Sequence, residues 1–127
     1  MDNTARKFMR IDHNGWITIA DLDPQRDLLD VIHEQLSGAW FEIVRCRTLP
    51  RKYVMLVDDC GLLKELPFNP VAQVLYGAPI AGTALIMCEG YNDDGEPDLF
   101  GMTLEEVDKL MHKLRGLIVI REVKDDE

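Results

Sequence analysis

Serine occurs once in this chain, at Ser37, and a serine hydrolase needs its nucleophile on a sharp turn beside a histidine. Ser37 stands instead in Leu36-Ser37-Gly38, where the end of a helix accounts for it. No apolar run approaches the roughly 18 residues that a membrane helix requires. Cysteine is sparse and odd in number: Cys46, Cys60 and Cys88 are widely spaced, without a CxxC pair. That pattern argues against a disulfide framework and for reduced thiols. The first residues are polar, with no apolar core of a signal peptide, so the expected location is the cytoplasm. Aromatic residues make up only 7% of the chain, so the core must be aliphatic. Basic side chains are absent from residues 89–108, which hold eight acids: Glu89, Asp93, Asp94, Glu96, Asp98, Glu105, Glu106 and Asp108.

What is present is enough for one self-sufficient domain. The chain has 127 residues, 46% of them hydrophobic, and a net charge of -9. The charge is lopsided. Residues 1–66 carry 11 acids and 9 bases, whereas residues 67–127 carry 12 acids and 5 bases. A negative field of this kind repels phosphate backbones, so direct nucleic-acid binding is not expected. A solvated acidic loop and helix start would explain the acids; so would a surface aimed at a basic partner.

Local signals divide the chain as follows. Residues 1–10 read as a loose tail, with residues 7–12 able to pair as a hairpin arm with a first strand at 16–20, behind the Asn14-Gly15 turn. Asp23-Pro24 is expected to open a helix with an apolar stripe of Leu28, Leu29, Ile32 and Leu36, ended by Ser37-Gly38. Strands at 40–45 and 53–57 form a hairpin, followed by an Asp58-Asp59-Cys60-Gly61 turn. Asn69 and Pro70 cap a short helix that ends at Gly77. A strand at 80–88 is apolar except for Thr83, so it should be the most buried. A polar loop spans 90–101, and Thr103-Leu104-Glu105-Glu106 is a capping box for a helix with the stripe Leu104, Val107, Leu110, Met111 and Leu114. Gly116 stops that helix, a last strand occupies 117–120, and residues 123–127 form a charged tail. The fold class is α+β: one domain over residues 11–122, a mostly antiparallel sheet covered by two longer helices and a short one, in the order β-α-β-β-α-β-α-β.

Known chemistries fit poorly. Gly77 to Thr83 contains glycines but enters a strand and no lysine follows, unlike a phosphate loop. With Gly95 in the sixth place of a calcium loop, the first and twelfth places fall on Gly90 and Gly101, which offer no side-chain oxygen. The thiols of Cys46 and Cys88 lie in strands, and Asp58 and Asp59 would raise the Cys60 thiol. His13, His33 and His112 have no partner spaced for a metal. No cofactor, metal site or catalytic residue is expected. One cationic cluster stands out: Arg45, Arg47, Arg51 and Lys52 flank the hairpin tip, where a phosphate-bearing ligand could sit.

The run Val54-Met55-Leu56-Val57-Asp58-Asp59-Cys60-Gly61, then Leu66-Pro67-Phe68-Asn69-Pro70 and Ile80-Ala81-Gly82-Thr83-Ala84-Leu85-Ile86, resembles an uncharacterised bacterial domain family of phages, plasmids and integrative elements. Asp94-Gly95-Glu96 and Thr103-Leu104-Glu105-Glu106 fit its acidic-Gly loop and Thr-started helix, and the likeness covers roughly residues 15–115. It implies a setting rather than an activity: a small protein of a mobile element that works by binding, including inhibition of host defence nucleases. Two expectations follow. The first is a non-enzymatic binding protein, monomer or homodimer, whose acidic surface meets a basic protein face. The alternative is a small-molecule or nucleotide-binding module, with Arg45, Arg47, Arg51, Lys52 and Asn69 about one pocket.

Overall fold

In the computed structural model, residues 5–117 and 123–126 are described, the last four by their backbone path alone. The elements are β1 (Lys7–Ile11), β2 (Ile17–Asp21), α1 (Leu28–Gln35), β3 (Phe41–Val44), β4 (Tyr53–Asp58), α2 (Pro70–Tyr76), β5 (Ala84–Tyr91), β6 (Pro97–Phe100), α3 (Leu104–Leu117) and β7 (Val123–Asp126). The expected α+β class and helix–strand order hold, and β1 and β6 are additions within that order. One sheet runs β3-β4-β5-β1-β2-β7, with β6 also paired to β5. All pairings are antiparallel except β2 with β7.

Strand alternation sends side chains to two cores. On one face Met9, Ile11, Ile17, Met55, Val57, Ala84 and Ile86 meet α2 and α3 through Leu75, Val107, Leu110 and Leu114. On the other, Phe8, Val54, Leu56, Leu85 and Met87 meet α1 through Val31, Ile32 and Leu36. Apolar residues therefore sit on both sides of β4 and β5, which is why those strands read as continuous hydrophobic runs.

Several boundaries differ from expectation. The hairpin arm expected at 7–12 forms as β1, antiparallel to β2, so no tail reaches residue 10; β1 lies between β2 and β5 with Phe8, Met9 and Ile11 all buried. Its charged side chains find partners in other elements: Lys7 pairs with Asp21 at 2.8 Å, and Arg10 donates to Gln35 at 2.8 Å. Asp23-Pro24 forms a turn instead of a helix start, with the Arg26 amide bonded to the Asp23 carbonyl; Asp27 is the N-cap and accepts from the Leu29 amide. Leu29 consequently faces out, 52% exposed, and so does Trp40 at 72%. The strand expected at 80–88 is shifted to β5, and the polar loop after it contains β6. Gly116 does not stop α3, which continues to Leu117. The rest of the strand expected at 117–120 lies outside the described residues, and four residues assigned to the charged tail form β7.

The local predictions at two helix starts hold in detail. Thr103 and Glu106 exchange side-chain-to-amide bonds of 2.8 and 3.1 Å. Asn69 caps α2 by accepting from the Ala72 amide, and Gly77 closes the helix in the left-handed region at φ 96°. Asn69 does more than cap. It is fully buried, and its amide nitrogen donates to the carbonyls of Ile11 and Gly82, both at 2.9 Å. Removing that side chain leaves three buried backbone groups unpaired. Asn69→Ala is expected to cost about 3 kcal/mol or more in urea-unfolding free energy. A loss below about 1 kcal/mol would show that these bonds carry little of the fold.

Candidate functional site

The site expected from composition was the acidic stretch, and the fold divides it. Glu89, in β5, accepts both contacts, 2.7 and 2.8 Å, from one guanidinium nitrogen of Arg45. Glu105 takes Lys109 one turn on at 3.2 Å, and Glu106 takes Lys52 at 2.8 Å. Two members of the basic cluster thus end on two members of the acidic stretch. Arg47 runs past Gly77, where an added Cβ would lie 3.4 Å from its Cδ, and Arg51 is exposed.

Asp93, Asp94, Glu96 and Asp98 remain together and make no ion pair among the described residues. They occupy the hairpin made by β5 and β6. β4 follows β5 only through Cys88, so Gly90 and Tyr91 pair with Asp98 and Pro97 alone, and the ribbon is two strands wide there. Its tip is a tight loop organised by Asn92, whose side-chain oxygen accepts from the amides of Asp94 and Glu96, both at 3.0 Å, with Gly95 at φ 78°. A metal loop is not what holds this tip: no group of three possible ligands gathers anywhere among the described residues. Tyr91, 74% exposed, stands at the base of the loop and was missed as a site residue. The signal was available, since a tyrosine beside four acids and a turn has no core to enter. Asp108 is apart from the tip, on α3.

Glu106 is the electrostatic junction between the two clusters. One of its oxygens completes the capping box and the other meets Lys52, with the Cys88 sulfur 3.6 Å away. Burial would raise its carboxyl, but the Lys52 ammonium and the Thr103 contacts outweigh this and hold it below the ordinary carboxylate range. The same environment pushes the Cys88 thiol up to about 12, by burial first and Glu106 second. Burial alone lifts Cys46 to about 11. Cys60 is raised by its hydrogen bond to Asp59 and that carboxylate's charge. All three thiols are therefore held away from the thiolate form that a nucleophile needs.

The cavity beside the turn at 66–69 does not bring that turn together with the basic cluster. The cavity of about 340 Å³ beside Leu66 and Pro67 is lined by His13, Ser37, Asp58, Lys64, Gly82 and Thr83, with none of the four bases. The Asn69 amide is spent on backbone carbonyls and has nothing left for a ligand.

No family model matches this chain, and neither does any curated protein. Among solved structures it is similar to the crystal structure of small RNA methyltransferase HEN1, with a TM-score of 0.58 and 16% identity. The match covers 91% of this chain and 16% of the other. At that identity the likeness is one of fold, to a small part of a much longer protein. No helix among the described residues is long and apolar enough to cross a membrane.

The lowered Glu106 pKa has a signed consequence. A carboxyl depressed by folding stabilises the native state above its unfolded pKa, and that contribution is lost as pH falls through the folded value. Glu106→Gln keeps the cap oxygen but loses the charge facing Lys52. Its urea midpoint should fall below the parent's at about pH 7, and the gap should close as the pH falls below the ordinary carboxylate range. An equal gap at both pH values would remove the ion pair from the account.

Proposed function

We propose that this chain is a non-enzymatic binding module that engages a basic protein face through the β5–β6 hairpin. One observation carries the reading: the fold pairs Glu89, Glu105 and Glu106 with bases but leaves Asp93, Asp94, Glu96 and Asp98 without an ion pair among the described residues, on a two-stranded ribbon beside exposed Tyr91. Four like charges crowded on a short hairpin repel one another. Their field steers and orients a cationic partner, raising the association rate most at low salt. Tyr91 adds a large, stiff contact of the type enriched where interface energy concentrates. The thiols' raised pKa values support a role without nucleophilic chemistry. The resemblance to mobile-element domains makes a host defence nuclease, whose surface must be basic to hold nucleic acid, a suitable class of partner.

The reading is tested with a fluorescent oligoarginine peptide as probe, followed by anisotropy. The quadruple variant Asp93→Asn, Asp94→Asn, Glu96→Gln, Asp98→Asn should lose most of the binding. The pair Glu105→Gln, Asp108→Asn should change it by less than about threefold. Affinity should also drop steeply as salt rises through about 0.15 M. Losses in proportion to the charges removed, four in one variant and two in the other, would mean that net charge alone, and no particular surface, attracts the probe.

A further inference from the structure

The path of the sheet ends at β7 on one side and at β3 on the other, and the two ends differ in character. β7 reads Val123-Lys124-Asp125-Asp126, and charge along an edge keeps a further strand away. β3 reads Phe41-Glu42-Ile43-Val44, with one charge and no proline. Its register with β4 runs without a bulge, and no described strand lies beyond it. Apart from its shortness and Glu42, this strand has none of the features that keep sheet edges apart.

The phase of the hydrogen bonds shows what β3 presents. The Asp59 amide donates to the Trp40 carbonyl at 3.1 Å, one step beyond the pairing of Phe41 with Asp58. Bonded and non-bonded pairs alternate along antiparallel strands. Glu42 and Val44 therefore bond to β4, whereas the amides and carbonyls of Phe41 and Ile43 point away from the sheet. Ile43 lies opposite Leu56, which belongs to the core under α1. Its own side chain is 42% exposed at the rim of that core, and Phe41 packs partly against it.

We infer that β3 pairs with β3 of a second copy, antiparallel about a two-fold axis at Ile43, joining two sheets into one. A two-fold axis repeats the same groups, so the residue at its centre faces itself. Centred on Glu42, the pairing would set two carboxylates directly opposite, which is destabilising. Centred on Ile43, the two isoleucines exchange amide-to-carbonyl bonds, and their side chains meet as an apolar pair that extends the core under α1. Phe41 then lies opposite Arg45 of the other copy, a ring beside a cation, and Glu42 lies opposite Val44. The edge meets its own copy with no like charges directly opposed. The hairpin takes no part in this contact, and either assignment can fail alone.

Sedimentation of the full chain between about 1 μM and 1 mM should show a monomer–dimer equilibrium. Each copy carries a net charge of -9, so added salt should tighten the dimer, the opposite of its effect on the oligoarginine contact. Ile43→Pro removes an amide that points outward, a change that an edge strand accepts. It should weaken the dimer by about tenfold or more while the circular dichroism stays native. Ile43→Lys places two like charges on the axis and should do the same, whereas Ile43→Val should keep the dimer. In a Cys60→Ser background, Ile43→Cys should cross-link the copies faster than Glu42→Cys, because directly opposite Cα atoms about 5.5 Å apart suit a disulfide. A chain that stays monomeric over the whole range, a dimer that Ile43→Lys leaves intact, or faster linkage through Glu42→Cys would each overturn the assignment.

Discussion

The buried amide of Asn69 is the contact on which the arrangement of this molecule turns. Its side chain joins the end of β1, the start of α2 and the Gly82 carbonyl just ahead of β5, while its own backbone amide bonds the Ile80 carbonyl. Those bonds fix where the chain enters β5. In a sheet with both faces buried, that entry point sets the register of everything downstream, because a slip of one residue exchanges the two cores. From the same starting point β5 pairs with β4, β1 and β6 in turn, and its last residues leave the core as one arm of the acidic hairpin.

Charge is sorted by the same geometry. An exposed ion pair contributes only about 0–1 kcal/mol, so the Arg45–Glu89 and Lys52–Glu106 contacts are minor in the fold's stability. Their larger effect is on the field. They pair Glu89 and Glu106, whereas Asp93, Asp94, Glu96 and Asp98 on the β5–β6 ribbon, and Asp108 on α3, make no ion pair among the described residues.

Much of this was legible wherever the chemistry is local. Asn69-Pro70 and Thr103-Leu104-Glu105-Glu106 announce their helices because each cap is satisfied within four residues, and the apolar run at 80–88 announces the buried part of β5. What escaped was non-local. Residues 7–12 could be read as an arm of the first hairpin, but the pairing of β1 with β5, and the bond from Arg10 to Gln35, join elements far apart in the chain. Pro97 and Asp98 read as loop because β6 is a short strand with one neighbour. The pairing of Arg45 with Glu89 spans 44 residues and cannot be seen from two charge runs in isolation. The acidic tip was found by composition, but its separation from Glu89, Glu105 and Glu106 required the fold.

The claim at the centre of this account is that the hairpin, and no other acidic region, is the surface that meets a cation. Residue-resolved amide NMR during addition of an oligoarginine peptide tests it most directly. The account predicts shifts concentrated between Tyr91 and Leu99, with Glu89, Glu105 and Glu106 unmoved. Shifts spread evenly over every acid, or centred on α3, would contradict it.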